Sequence, residues 1–323
     1  MPKISVVIPA YNAEPTIKKT IESVQKQSFS DFEVIIINDG SIDRTLEIIH
    51  SIDDSRLRIF SYQNGGLSVA RNRGISHATG EFIAFLDADD LWTSDKLELQ
   101  LAVLEQHPEV GIAYSWTYFM NEKENCLFPG SPLFYEGNVY RDLLIKNFLS
   151  HGSNPLIRKE VIESVGEFDT QLSHFADWDY WLRIASKWSF AVVPKYQIYY
   201  FQSSRTMSSK ADGIKEAGYF MIEKAFRSAP KELQSLKKIS YSKLLLYCTD
   251  LYFQHSTDIN GIRQGRDNLL NAIRLHPQSL LSKDTQKLVV RFIFIRLFPT
   301  QIASYLLQVF RKFRKIPQYQ VQR

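Results

Sequence analysis

Three carboxylates stand almost side by side at the end of an apolar run. Phe82, Ile83, Ala84, Phe85 and Leu86 are followed by Asp87, Asp89 and Asp90. Like charges this close repel one another, and either open water or a shared cation relieves the repulsion. Asp87 and Asp89, two residues apart, can offer oxygen ligands to one hard divalent ion. Mg²⁺ or Mn²⁺ suits such ligands and keeps room for substrate phosphates. The competing readings are a solvated acidic turn or an N-cap for the helix that follows. Other polar residues close other apolar runs in the same way: Tyr11 and Asn12 after "KISVVIPA", Asp39 after "FEVIIIN", and Asn64 after "RLRIFSY".

The elements that position these groups follow from the pattern. "KISVVIPA", "FEVIIIND", "RLRIFSY", "EFIAFLDADD" and "GIAYSWTYFM" read as strands, the first two buried on both faces. Between them lie helical segments: one opened by Pro15 with Ile17, Ile21 and Val24 at helical spacing, then "DRTLEIIHSI", "LSVARNRGISHA" and "SDKLELQLAVLEQH". Strand and helix alternating at short spacing specify parallel βαβ units and a doubly wound α/β sheet. Ligands of such sheets bind beyond the carboxyl ends of the strands, where these polar groups fall.

After about residue 120 the pattern loosens. "NCLFPGSPLFYEGN" reads as loop, "VYRDLLIKNFL" and "KEVIESVG" as short helices, "DWDYWLRIASKW" as a helix and "SFAVVPKYQIYYFQ" as a strand pair. From about Gly213 the chain reads as helical, so a boundary is expected near residue 210.

The 323 residues suffice for two units. Two distant cysteines, Cys126 and Cys248, form neither a disulfide framework nor a zinc pattern and suit a reducing compartment. The N-terminus lacks a secretory leader's apolar stretch, and no run is long enough to span a membrane. A cytoplasmic protein is therefore expected. A net charge of +4 is too mild to indicate nucleic acid. The charge is uneven: Lys287, Arg291, Arg296, Arg311, Lys312, Arg314, Lys315 and Arg323 occur with no Asp or Glu among them. This basic, partly apolar tail, about residues 287–315, is expected either to lie on an anionic membrane surface or to pack as a helix on the rest of the chain. Glycine fingerprints of dinucleotide and P-loop sites, the nucleophile elbow and the H-E-x-x-H zinc motif are all missing.

"SVVIPAYNAE", "IIINDGSIDRT", "NGGLSVARNRGI", "GEFIAFLDADD" and "ADWDYWLRIA" occur in this order, over roughly residues 3–205, in a way that resembles the family 2 glycosyltransferases. The resemblance implies a Rossmann-like GT-A nucleotide-diphosphosugar transferase fold with a mainly parallel central sheet. It would occupy residues 1–210, with a nucleotide-sugar part at about 1–120 and an acceptor part at about 121–210, followed by a C-terminal α-helical region over 211–323. It also implies an inverting, metal-dependent transfer of a sugar from a nucleotide-diphosphosugar to an acceptor hydroxyl, in polysaccharide or glycolipid biosynthesis.

Carried over residue by residue, Pro9, Ala10 and Tyr11 would edge the nucleotide pocket, with Tyr11 on the base. Asp39 would accept the base ring N–H, favouring a UDP- or dTDP-sugar. Arg71 would lie near the base or diphosphate with Asn72 close by, while Arg73 reads as a surface charge. Asp87 would hold ribose or the metal, and Asp89 the Mn²⁺ or Mg²⁺ that bridges the diphosphate. Asp90 would support them from behind or cap a helix. Asp177 would be the general base, and Asp179 would contact Arg183 one turn on. The sequence departs from the family pattern in having Ala176 where an acidic residue is common. It also has no histidine in "YYFQSSRTMSS", where Gln202, Ser203 or Arg205 could substitute. A catalytically inactive nucleotide-sugar-binding protein and a nucleotidyltransferase-like enzyme are the alternatives. A sugar or lipid-linked acceptor is the expected second substrate, at the inner face of the cytoplasmic membrane if the tail binds there.

Overall fold

The structure, a computed structural model, describes residues 1–121, 126–202, 211–255 and 259–297. Two compact units divide the chain: Met1–Leu143 with Asn147–Gln202, and Leu144–Lys146 with Ser203–Arg323.

The first unit is built on one sheet. Its strands are β1 (Ile4–Ala10), β2 (Phe32–Asn38), β3 (Leu57–Ser61), β4 (Phe82–Phe85), β5 (Leu91–Trp92), β6 (Val110–Asn121), β7 (Cys126–Pro129), β8 (Leu156–Arg158) and β9 (Ser189–Gln202). The order is β3-β2-β1-β4-β8-β6-β9-β5, with β7 on β6. The helices are α1 (Ile17–Gln25), α2 (Thr45–His50), α3 (Leu67–His77), α4 (Lys96–Gln106), α5 (Tyr140–Ile145), α6 (Lys159–Val165) and α7 (Ala176–Ala185).

The first four strands run parallel, and every residue of β1 and β2 is buried, as their β-branched apolar runs require. Order reverses between β1 and β4, so β1 stands at a topological switch point. The strand ends are flush there: Asp39 N donates to Ala10 O at 2.8 Å and Leu86 N to Val7 O at 2.9 Å. Beyond β4 the sheet is mixed. β8 runs antiparallel to β4 and β6, and β9 runs parallel to β6 and antiparallel to β5.

Helix α1 buries Ile17, Thr20, Ile21 and Val24, the stripe that its spacing implies. Helix α3 is different, for its buried residues are Ser68, Ala70, Arg71, Asn72 and Gly74. Gly74 lies flat on β1, where a Cβ would overlap the Val7 side chain. This close approach carries the polar pair Arg71–Asn72 into the interior.

"SFAVVPKYQIYYFQ", expected to be a strand pair, is the single strand β9. Pro194 does not end it because the β6–β9 register slips there: Ser115 faces Val193 and Trp116 faces Tyr196. An irregularity of this kind is where a sheet accepts a residue without an N–H. Part of the expected loop at "NCLFPG" forms β7, paired with β6.

The second unit contains α8 (Ala211–Ser228), α9 (Lys237–His255), α10 (Ile259–Leu275) and α11 (Lys283–Leu297), with 3-10 turns at Lys231–Leu236 and Pro277–Leu281. Leu245, Leu246, Phe253, Leu269, Ala272 and Leu288 form its small core. Gly218 and Gly265 let the helices close up, since a Cβ at either would press into Leu244 or Phe253. Among the described residues no helix is long and apolar enough to cross a membrane.

Candidate active site

The aspartates after β4 occupy three environments. Asp89 is exposed, Asp87 is half-buried, and Asp90 is fully buried. Ser153 ties the turn together: its hydroxyl donates to Asp90 Oδ2 at 2.5 Å and accepts from Asp87 N at 3.0 Å. Asp90 Oδ1 accepts from Phe201 N at 3.1 Å, fastening the turn to β9. Burial first, then the charges of Asp87 and Asp89, push the Asp90 carboxyl well above the usual carboxylate range. Asp90 therefore supports the turn from below, and no contact places it as a helix cap.

Arg71 is 2% exposed and donates through Nη2 to Asp87 Oδ1 at 2.7 Å. Its guanidinium lies over the Phe168 ring, 5.3 Å from the centroid, and against Gly152, where a Cβ would overlap it. Its Nε has no partner among the described residues. The Nε atom is itself sealed from solvent, so what the buried guanidinium offers this place is its positive charge, beside the half-buried Asp87 carboxylate.

Asn72 does not face this space. Its Nδ2 donates to Phe168 O at 2.9 Å and its Oδ1 accepts from Phe168 N at 2.8 Å. The amide thus clamps the segment before α7, which corrects the expectation of a place near the donor.

Asp39 is buried at the start of α3. Its oxygens accept from Gly65 N at 3.0 and 3.1 Å and from Gly66 N at 2.8 Å, and Arg73 Nη1 reaches Oδ1 at 2.7 Å. Arg73 is consequently an ion-pair partner of Asp39, lying over the Tyr62 ring at 4.4 Å, and not the plain surface charge expected. Pro9 and Ala10 are buried within β1 and offer little surface, because their alternation belongs to the sheet core. They set the place of Tyr11, which is 53% exposed. The loop beyond it is laced to the loop after β2: Asn12 N donates to Ser41 Oγ at 3.1 Å, and Ile42 N to Asn12 Oδ1 at 2.9 Å. Asn12 has φ 48, the left-handed region uncommon for residues other than glycine.

Asp177 opens α7 behind Phe175, which has φ 61. Its Oδ1 accepts from Trp178 N at 2.8 Å and its Oδ2 from Asn147 Nδ2 at 3.4 Å. Burial raises its carboxyl pKa, and the charges of Arg71 and Asp87 both reach it. The group that ion-pairs with Asp87 thus also acts on Asp177. Asp179 points away, as expected, and accepts from Arg183 Nε at 2.9 Å. Arg183 also donates to Val165 O and Glu167 O, which makes this pair a clamp on the loop between α6 and α7.

The sequence reading missed the segment 150–154. Ser150 has φ 69. His151 is buried, pairs with Thr117 Oγ1 through Nε2 at 3.0 Å and stacks on Tyr200. Burial lowers its pKa to about 4, so it is neutral at physiological pH. Gly152 seats Arg71, Ser153 holds the aspartates, and Asn154 bonds both N and O of Ser115. The only signal was a run of small polar residues with one glycine, which also describes an ordinary loop. Ser203 and Arg205 lie outside the described residues.

Among the described residues no three His, Cys, Asp or Glu side chains are gathered as a ready metal cage. Asp87 and Asp89 still fit a divalent ion of the kind that takes one or two carboxylates and completes its shell with phosphate oxygens and water.

The carboxylates stand beyond the strand ends at a topological switch point, with Asp177 half-buried at the start of α7. The sequence model described as "Glycosyltransferase like family 2" matches residues 5–249, and the chain belongs to this family. It is similar to an uncharacterized glycosyltransferase of Methanocaldococcus jannaschii, 29% identical over 205 residues, which are 62% of this chain and 70% of that protein. It is also similar to the Escherichia coli UDP-Glc:alpha-D-GlcNAc-diphosphoundecaprenol beta-1,3-glucosyltransferase WfgD, 39% identical over 102 residues, 31% of this chain and 40% of that one. For four uncharacterized Rickettsia glycosyltransferases it spans only 21–60% of their length. In fold it resembles S. aureus TarS 1-349 in complex with UDP, at a TM-score of 0.61 and 20% identity, over 99% of this chain and 94% of that one. It resembles likewise the mannosyltransferase PcManGT from Pyrobaculum calidifontis in complex with GDP-Man and Mn2+, at a TM-score of 0.60 and 19% identity, over 98% and 88%.

Proposed function

We propose that the protein is an inverting glycosyltransferase that moves a sugar from a nucleotide-diphosphosugar to an acceptor hydroxyl. The observation that carries this reading is Arg71, buried and ion-paired to Asp87 while its charge acts on Asp177. It joins the wall that suits a diphosphate to a carboxylate whose basicity burial has raised. Asp177 takes the proton of the acceptor hydroxyl, whose oxygen attacks the anomeric carbon. The bond from that carbon to the diphosphate breaks on the opposite face, and the nucleoside diphosphate leaves with the electron pair. One displacement inverts the anomeric configuration.

Arg71 offers positive charge to the departing diphosphate, and Tyr11 offers an exposed ring for the base to rest on. Asp87 and Asp89 would hold Mn²⁺ or Mg²⁺. Such an ion, when bound, supplies charge neutralisation to the leaving group. A UDP- or dTDP-sugar is the donor that the family resemblance favours. Asp39, which would read the base, is buried and already accepts from Gly65, Gly66 and Arg73, so it would have to exchange one of these partners for a ring N–H. The name of WfgD points the same way, and it also supports a lipid-linked acceptor in polysaccharide or glycolipid synthesis. The basic tail supports peripheral contact with an anionic membrane, at the cytoplasmic face. Of its described part, α11 exposes Val290, Ile293 and Leu297. Residues 298–315 lie outside the described residues.

A thermal-shift screen of nucleotide-sugars with Mn²⁺, followed by assignment of the anomeric configuration of the product, tests the reading. Stabilisation by a nucleotide-sugar and an inverted product are expected. A retained configuration would remove the single displacement.

A further inference from the structure

Tyr200 was not among the residues that motif reasoning singled out, yet the site converges on it. The next residue, Phe201, donates its N–H to Asp90, so β9 is fastened to the aspartate turn at this point. The Tyr200 ring lies face to face with His151, centroids 4.6 Å apart and 15° from parallel, and meets Phe119 edge-on at 5.9 Å. His151 is itself held by Thr117. The phenol is therefore fixed in direction before any ligand arrives. Its hydroxyl has no hydrogen-bond partner among the described residues. It is not among the sealed polar atoms of the interior either. Beyond burial itself, the groups that act on it are Asp90, Asp87, Asp89 and Asp177, carboxylates from both walls of the crevice. Burial and these charges keep its proton in place, so it is a hydrogen-bond donor throughout the physiological range.

We propose that the Tyr200 hydroxyl is a specificity-determining hydrogen-bond donor to the transferred sugar. The inference rests on the glycosyltransferase reading above. In a single displacement the anomeric carbon lies in line between the leaving oxygen and the incoming hydroxyl. Asp87 and Asp89 mark the first of these positions, and Tyr200 lies against it. Its ring is stacked on His151, whose neighbours Gly152 and Ser153 seat Arg71 and hold Asp87. The next residue, Phe201, is bonded to Asp90, so the phenol stands where a sugar attached to the diphosphate has to pass. A fixed neutral donor there selects a sugar that presents an oxygen in the matching configuration. A sugar lacking that oxygen leaves the phenol unpaired in a desolvated place, a strong basis for rejection.

The test is Tyr200→Phe in the full chain, which keeps the ring and its stack on His151 and removes only the hydroxyl. Tyr199→Phe serves as control, since neighbouring residues of a strand point to opposite faces. Titration calorimetry with Mn²⁺ present would compare UDP, UDP-glucose, UDP-GlcNAc, GDP and GDP-mannose. For Tyr200→Phe the affinity for the bare nucleoside diphosphate should stay within about twofold of wild type. The preferred nucleotide-sugar should weaken about fivefold, the size of one neutral hydrogen bond, and the preference between sugars should narrow by the same factor. Tyr199→Phe should match wild type. Equal weakening of nucleoside diphosphate and nucleotide-sugar would put the hydroxyl on the diphosphate and overturn the proposal, as would no change in either. A wild-type protein that binds none of the five, nor dTDP or dTDP-glucose, overturns the donor reading and this inference with it.

Discussion

Asp177 owes its basicity to burial, and that has a cost in stability. A carboxyl whose folded pKa is raised disfavours the charged form, so the native state is penalised above the ordinary carboxyl pKa and relieved below it. Asp177→Asn removes a charge and keeps the shape. It should lower kcat by about 10²–10⁴-fold with donor affinity unchanged. It should also raise the melting temperature at neutral pH, a gain that fades as pH falls toward about 4 and is absent below it. Asp179→Asn should do the reverse, losing about 1–3 kcal/mol of stability through the Arg183 clamp and little of kcat. If Asp179→Asn abolishes transfer and Asp177→Asn does not, the base is misassigned. Asp89 is exposed and outside the core, so Asp89→Ala should fold normally yet lose transfer by several kcal/mol of barrier. Retained activity in that variant, or in wild type treated with EDTA, would refute the metal role. That Asp87, Asp89 and Asp177 stand at the ends of elements was legible because each opens or closes an element with a strong pattern. Arg73 and Asn72 were not, because helix α3 turns a polar stripe inward and no periodicity marks it.

At the scale of elements, the segment 150–154 links Arg71 to the aspartate turn. Gly152→Ala should displace the guanidinium and weaken nucleoside diphosphate binding about tenfold or more, while costing about 1–3 kcal/mol of stability by overpacking. Unchanged affinity would show that Arg71 does not meet the diphosphate. The parallel strands β1 to β4 could be read from sequence because burial on both faces writes long apolar runs. β5 and β8, two and three residues long, are too short to carry a period and are strands only because β9, β4 and β6 pair with them. β9 was misread for the opposite reason: Pro194 signals a break locally, and the slipped register that accommodates it is a property of the partner strand.

For the whole molecule, acid stability is set partly by Glu33, buried in β2. Burial would raise its pKa, but hydrogen bonds from Thr79, Arg58 and Ser5 outweigh that and bring it to about 2. A carboxylate with a lowered folded pKa stabilises the native state above its ordinary value near 4.5, and that contribution is lost as pH falls toward 2. The shift corresponds to about 3 kcal/mol. Glu33→Gln should lower stability at pH 7 and flatten its fall between about pH 4.5 and 2 in urea melts; an unchanged slope would locate acid sensitivity elsewhere. For the tail, Val290, Ile293 and Leu297 replaced together by Ser should reduce flotation of the full chain with anionic liposomes. Equal flotation would detach α11 from membrane contact.

The pair Arg71–Asn72 reaches three distant stretches: Asp87, Gly152 and Phe168. A natural or engineered chimera that joins residues 1–121 of this chain to the second half of a relative would inherit the arginine without its seat. Recombination between family members should therefore succeed only when a glycine at 152 and a matching backbone at 168 travel with the donor half. Exchange of donor preference by grafting then has to move two non-contiguous pieces of sequence together.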